Sequence, residues 1–321
     1  MSSLSRSVSL LLSAVLALGC AVTRAPASTR PLAPAAATAD WTTHLRTPGP
    51  ITIESAVSAR WSVPAAGLID RDDPAAAHLT DEKVPIVLPV HLLHHPEAGV
   101  LTVDTGIDAR LAQGDRGPLR GLVRAATGTM EPVASLSELL DGAVPSHVLL
   151  THAHLDHVLG LPDVPVDVPV ITGPGELGAR DASHVLLKRT YGQLFADREA
   201  LQVLDPADAE PFGPISHAWD LLGDGTVYAL WMPGHTPGSL AYLARTTEGP
   251  VLFAGDTCHT LWGWEHNVAP GRFTADAEGN RQSLDALQQL SDALPELVVH
   301  VGHELDGHGT GFGDGVSIAH P

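Results

Sequence analysis

In the stretch VLLTHAHLDHVLG, residues 148–160, an apolar run of strand character empties into three histidines and an aspartate within six positions. His152 and His154 are two apart, so on an extended segment both imidazoles leave on one side and can meet one ion. Asp156 and His157 follow where the backbone must turn, within reach of a second ion beside the first. Imidazoles suit zinc or iron, and the carboxylate suits a harder, water-rich position. A structural zinc is saturated by four ligands of one cluster, often thiolates. Here the whole chain has two cysteines and the ligands are too many for one closed tetrahedron, so an open, catalytic site is indicated.

Three later strand ends supply more donors. MPGHTPGSL puts His235 in a Gly/Pro loop, where glycine permits the backbone needed to turn a ligand inward. LFAGDTCHT puts Asp256 after another apolar run, and a carboxylate can bridge two cations with its two oxygens. VVHVGHELDG ends a run with His300 and His303. Two cations about 3.5–4 Å apart can hold and activate one water while polarising the bond it attacks.

Working outward from residue 51, short apolar or alternating runs are punctuated by Gly and Pro: ITIESAVSARWSV, PIVLPVHLLHH, GVLTVDTG, VDVPVIT, GTVYALWMPGH, GSLAYLA, GPVLFAGD and LVVHVGH. Helical patterns lie between some of them, notably Arg281 to Leu294, where Leu284, Leu287 and Leu290 share one side. Strands in runs with helices interposed predict a layered α/β protein of two helix-covered sheets. Two strand-plus-histidine units, near 148–157 and 226–235, echo each other and suggest two similar halves.

HAHLDH, PGHTPGS, AGDT and VGHE, in that order and each after a strand, resemble the metallo-β-lactamase superfamily with its H-x-H-x-D-H signature. GVLTVDTG upstream matches as well, and the resemblance covers about Pro85 to His303. It implies an αββα sandwich of two mixed β-sheets flanked by helices. It also implies two divalent metal ions, zinc first with iron or manganese as alternatives. One would be held by His152, His154 and His235, the other by Asp156, His157 and His303, with Asp256 bridging them. His300 competes with His303 for the last place, but the Gly-His-acid context belongs to His303. Asp104, in VDTG, resembles the acid that orients a liganding imidazole through its other ring nitrogen; it also suits a turn after a strand.

Within the superfamily, PVHLLHHPEAGVLTVDTG and WDLLGDGTVYALWMPGHTPGS look like the branch that hydrolyses N-acyl homoserine lactones. The implied chemistry is opening of a lactone or ester by water that the two cations activate, with Asp256 and Asp156 as its carboxylates. The alternatives are another hydrolase of this fold, acting on a β-lactam, thioester or aryl ester, or a non-catalytic metal-bearing lipoprotein. There is one departure. The lactonases carry a tyrosine three residues after the bridging aspartate, and this chain has His259 there, able to donate a hydrogen bond, ligate metal or face solvent. Cys258 is expected to pack as a small buried residue.

Trp262 and Trp264 follow in a stretch without periodicity and are expected in a loop, lining an acyl channel or sealing the sandwich edge. Tyr191 and Phe195, four apart on a helical stripe over 183–201, cap the pocket or cover a sheet. Histidines 44, 78, 184, 217, 266, 308 and 320 are given no metal role.

Composition removes other classes. The 321 residues carry 37 Asp and Glu against 18 Lys and Arg, a formal charge of −19 that disfavours nucleic acid, so the partner is a small-molecule substrate. Residues 1–20 have one basic residue, Arg6, and an apolar run from Ser9 to Leu18, too short to span a bilayer and fitting a signal peptide. LALGC at its end resembles a lipoprotein signal, which predicts an exported protein anchored at the membrane through a lipidated Cys20, with release to the periplasm or medium as the alternative. Residues 21–50 are expected to be an Ala/Pro-rich tether, 51–310 the catalytic domain and 311–321 a tail.

Overall fold

Alternating and continuous apolar runs build two sheets whose inner faces meet. The computed structural model describes residues 27–30, 40–115, 119, 121–179 and 182–305. The first sheet comprises β1 (Ala27–Arg30), β2 (Thr52–Pro64), β3 (Lys83–His95), β4 (Gly99–Val103), β5 (Glu131–Pro132), β6 (His147–Leu149), β7 (Val170–Thr172) and β8 (Leu201–Leu204). Their spatial order is β1-β8-β7-β6-β4-β3-β2-β5. The second sheet comprises β9 (Glu210–Phe212), β10 (Ile215–Asp220), β11 (Val227–Trp231), β12 (Leu240–Thr246), β13 (Gly249–Phe253) and β14 (Val298–His300), in the order β14-β13-β12-β11-β10-β9.

Both sheets are mixed. Strands β4, β6, β7 and β8 run parallel, while β2, β3 and β4 are antiparallel neighbours. In the second sheet β11, β12 and β13 alternate and β14 joins β13 in parallel, with Phe253 opposite His300. The C-terminal ends of β11, β13 and β14 therefore open on one edge, as those of β4 and β6 do in the first sheet.

Between the sheets lies an apolar layer in which Leu93, Leu101, Val103, Leu149 and Ile171 meet Trp219, Ala229, Tyr242 and Phe253. Outside the first sheet, a helix over Ala182–Leu194 and the residue after it bury Tyr191 and Phe195 among Val148, Val170 and Leu201, so this pair covers the sheet. Outside the second, a helix over Ala277–Ala293 lays Leu287 and Leu290 on Leu230, Leu243 and Leu252. Asp276 caps that helix by accepting from the Gly279 amide, and its leucines recur at helical spacing. The result is the αββα sandwich expected, though the two halves differ: eight strands against six, with different connections.

Two stretches differ from the sequence reading. The tether expected over 21–50 contains β1, which pairs in parallel with β8, and a helix, α1 (Trp41–Arg46), capped by Asp40. Leu45 of α1 is fully buried and the Trp41 ring stands 6.0 Å from Phe212, which is why this piece joins the domain. Trp262 and Trp264 sit on a short helix, α2 (Leu261–Glu265), with Thr260 accepting from the Gly263 amide. Five residues are too few to display a period. Trp262 packs in the core and stacks on His266 at 4.3 Å, so it seals the edge. The expected signal, Cys20 and the 311–321 tail lie outside the described residues, among which no helix is long and apolar enough to cross a membrane.

Candidate metal centre

Four of the five strand ends that open on one edge carry the candidate ligands. His152 and His154 follow β6, and His154 begins a helical turn over Leu155–Val158 that carries Asp156 and His157. His235 follows β11, Asp256 follows β13 and His303 follows β14. The sheets are tied where these loops meet: the Leu240 amide donates to the Thr151 carbonyl at 2.7 Å, and the Tyr242 hydroxyl donates to the Leu150 carbonyl at 2.8 Å.

Asp256 Oδ2 is the hub. It stands 3.3 Å from His235 Nε2, 3.6 Å from His152 Nε2, 3.4 Å from His157 Nε2, 3.3 Å from His303 Nε2 and 3.1 Å from His259 Nε2. A Cβ on Gly302 would collide with Asp256 Oδ1, so only glycine lets β14 end beside this carboxylate. On one side His154 Nδ1 faces His235 Nε2 at 2.8 Å. On the other, Asp156 Oδ2 stands 3.6 Å from His303 Nε2 and 3.9 Å from His157 Nε2. The donors thus group as His152, His154, His235 and Asp256, and as Asp156, His157 and His303, with a further overlap of Asp256, His259 and His303.

These residues fit a pair of divalent cations. With metal-ligand bonds of about 2.1 Å, two donors on one ion stand roughly 3–3.5 Å apart, which is the spacing around Asp256. His152 Nε2, His157 Nε2 and Asp256 Oδ1 are buried and make no hydrogen bond, which is costly for groups with nothing else to bind. One carboxylate oxygen cannot accept hydrogen bonds from five imidazoles, whereas five donors can converge on cations.

The other ring nitrogens of His157, His303 and His152 are spoken for. His157 Nδ1 meets Asp104 Oδ2 at 2.7 Å, His303 Nδ1–H donates to the Val87 carbonyl at 3.1 Å, and His152 Nδ1 lies 3.2 Å from Thr151 Oγ1. Such contacts fix the tautomer and aim of a liganding imidazole. Asp104 also receives the Thr151 amide and hydroxyl, and it sits at φ +57° just after β4. Asp104 thus turns the chain and fixes the His157 ring.

Electrostatics separates the two groups. Burial, then the charge of His157, keeps His152 well below the usual imidazole range; burial and His154 do the same to His235. Burial would also lower His157, but Asp256, Asp104 and Asp156 outweigh it and hold the ring well above that range. His303 is raised too, because Asp256 overcomes its burial. Burial would raise Asp256, yet the surrounding His303, His259, His157 and His152 hold it well below the carboxylate range.

His300 points away from the ligand set, stacked on Phe253 at 5.4 Å and tilted to His91 at 4.9 Å. Burial pushes the Cys258 thiol up to about 12, so it packs as an inert residue. Sequence reasoning missed Glu176. Its buried carboxylate accepts from the Ala153 amide at 2.6 Å, the Thr236 hydroxyl at 2.6 Å and the Gly238 amide at 3.0 Å, clamping the loop of His152 and His154 to the loop of His235. An acid in a Gly/Pro turn after an apolar run, TGPGE, is the signal that marks it. A cavity of about 680 Å³ between β2 and the β12–β13 turn, lined by Ser55, Arg60, Glu248 and His300, shares no residue with the ligand set.

Ordered histidine and aspartate ligands on the open edge of an αββα sandwich define a metal-dependent hydrolase. The chain belongs to the metallo-beta-lactamase superfamily, whose family model matches residues 90–303. It is 28% identical over 250 residues to the N-acyl homoserine lactonase AttM of Azorhizobium caulinodans, covering 70% of this chain and 84% of that one. It is also 26% identical over 250 residues to AttM of Agrobacterium fabrum, with the same coverage of both chains. Among solved structures, a quorum-quenching N-acyl homoserine lactone lactonase superposes with a TM-score of 0.59 at 17% identity, over 80% of this chain and 94% of that one. An N-acyl homoserine lactone hydrolase with its product N-hexanoyl-L-homoserine at the catalytic metal centre superposes at 0.58, with 19% identity, over 80% and 94%. These likenesses establish the fold.

Proposed function

We propose that this enzyme is a dinuclear lactonase acting on N-acyl homoserine lactones or lactones close to them. The observation that carries the two-cation reading is Asp256 Oδ2, shared by donors of both groups at 3.3–3.6 Å. The similarity to AttM lactonases over 84% of their length supports the substrate class. When bound, two divalent cations would lower the pKa of a shared water toward neutrality and polarise a carbonyl. The imidazole-rich donor set favours zinc, with iron or manganese as alternatives.

The chain's own residues would do the rest. Asp256 keeps the two groups in register, Asp104 holds the His157 ring, and Glu176 locks the loops of the first group together. Overall, water adds to the lactone carbonyl carbon, the ring C–O bond breaks, and the leaving alkoxide takes up the proton the water gave. Asp156, beside His157 and His303, can carry that proton to the alkoxide. Asp156, whose side chain is 16% exposed, is the carboxylate that also meets solvent. The same face, with His154 and Leu155 half-buried, is where substrate would enter.

Ring opening of acylhomoserine lactones of several chain lengths by the zinc-loaded protein, beside a β-lactam, a thioester and an aryl ester, tests this reading. Lactone turnover that Asp256→Ala abolishes is expected. Cleavage of only another substrate would keep the hydrolase and discard the lactone. The proposal extends to export and anchoring through a lipidated Cys20; fatty-acid labelling that persists in Cys20→Ser would contradict it.

A further inference from the structure

We propose that His259 is an additional metal ligand, bound through Nε2 to the same cation as His303. The inference rests on the two-cation reading above and adds a ligand to it. A carbonyl oxygen can only accept, so the 3.0 Å contact of His259 Nδ1 with the Leu68 carbonyl identifies Nδ1 as the protonated nitrogen. Nε2 of the neutral ring then carries a lone pair. That lone pair points at Asp256 Oδ2 from 3.1 Å, and two acceptors at this distance repel each other unless a cation or a proton lies between them.

The local backbone explains the aim. Residue 258 is extended, with φ −144° and ψ 120°, so successive side chains leave on opposite sides. Cys258 goes into the core against Leu284 and Val301, and His259 goes to the ligands. The Gly302 amide donates to the Cys258 carbonyl and the His303 amide to the His259 carbonyl, both at 2.9 Å. This two-rung ladder seats His259 beside His303.

His303 is the template for the comparison. It too gives Nδ1–H to a backbone carbonyl, that of Val87 at 3.1 Å, and presents Nε2 to Asp256 Oδ2 at 3.3 Å. His259 repeats the arrangement, is 2% exposed, and has its Nε2 grouped within 4.8 Å of the His303 and Asp256 donor atoms. A cation rather than a proton is the better occupant because Asp256 Oδ2 faces four other imidazole nitrogens at 3.3–3.6 Å. A single oxygen cannot take a hydrogen bond from each.

Two consequences follow for the site. In its neutral form His259 has no hydrogen left at Nε2 to offer a substrate carbonyl, so it does not substitute for a tyrosine hydroxyl. An added ligand beyond a tetrahedral set also moves the cation at His303 toward ions that accept five or six donors.

The test loads the full protein, with histidine isotope-labelled on both ring nitrogens, with a spin-active cadmium isotope, and counts imidazoles that show one-bond coupling to the metal. Six coupled rings, those of His152, His154, His157, His235, His259 and His303, are expected. Five, with the His259 ring uncoupled, would overturn the proposal while leaving the two-cation reading intact. Three or none would sink both. His259→Gln assigns the resonance by its loss, and an unchanged melting temperature of the metal-free variant verifies its fold. If that variant does not fold, the wild-type count still decides.

Discussion

The two halves of the proposed metal centre are built from similar strand ends but differ in chemistry. In the half around His152, His154 and His235, burial and neighbouring imidazoles lower the pKa values of His152 and His235, so these two rings are neutral and ready to bind. The half around Asp156, His157 and His303 is set among carboxylates that raise its imidazoles, so without metal these rings hold protons. On the two-cation proposal one half is ready for its cation, while the other must first release protons to receive one. Asp256 belongs to both, and that is what makes the pair a single unit.

The contrast is broken most severely at its shared member. Asp256→Ala should empty both halves and abolish turnover, a loss beyond the roughly 10–100-fold typical of an outer partner of a ligand. Metal analysis after dialysis reads this directly; two retained ions would contradict it. Asp104→Asn should act on one half only. Loss of the charge holding His157 at 2.7 Å is expected to weaken one of the two ions by about 10–100-fold in chelator competition, and equal weakening of both would blur the distinction drawn here.

Glu176→Gln tests the other half. Replacing a buried carboxylate with an amide leaves the three donors of Ala153, Thr236 and Gly238 poorly matched, a cost of about 1–3 kcal/mol. A lowered melting temperature, with weaker metal binding at the His154 side, is the expected outcome; an unaltered melt would show that the clamp is dispensable. The smallest effect is in proton bookkeeping. His157 and His303 have pKa values raised in the metal-free fold, so they are protonated below those values and must deprotonate on binding. Metal affinity should therefore fall as pH is lowered, and calorimetry in buffers of different ionisation enthalpy should show protons released. Proton-neutral uptake at pH 6 would contradict the assignment.

Much of the fold and of the candidate site was legible in the chain because each candidate ligand closes an apolar run. His152, His154, His235, Asp256 and His303 stand a few residues past β6, β11, β13 and β14, and the parallel direction of those strands within each sheet gathers them. The acid of VDTG was legible by the same rule. Glu176 follows it as well, after β7, but no histidine accompanies it and its partners are backbone amides, which leave no trace in sequence. The carbonyls of Leu68 and Val87 that fix His259 and His303 are invisible for the same reason: any residue supplies a carbonyl. The strand β1 and helix α1 were hidden by an Ala/Pro/Thr composition, and only Trp41 and Leu45 betray that this segment packs. The histidine at 259 was visible as a departure; its role depends on which ring nitrogen is tied, and that is a matter of three-dimensional neighbours.

The most direct test is anomalous diffraction at the zinc edge from crystals of the loaded protein. Two peaks about 3.5–4 Å apart are expected on either side of Asp256, one beside His152, His154 and His235 and the other beside Asp156, His157 and His303. A single peak, or metal bound away from Asp256, would contradict the two-cation proposal.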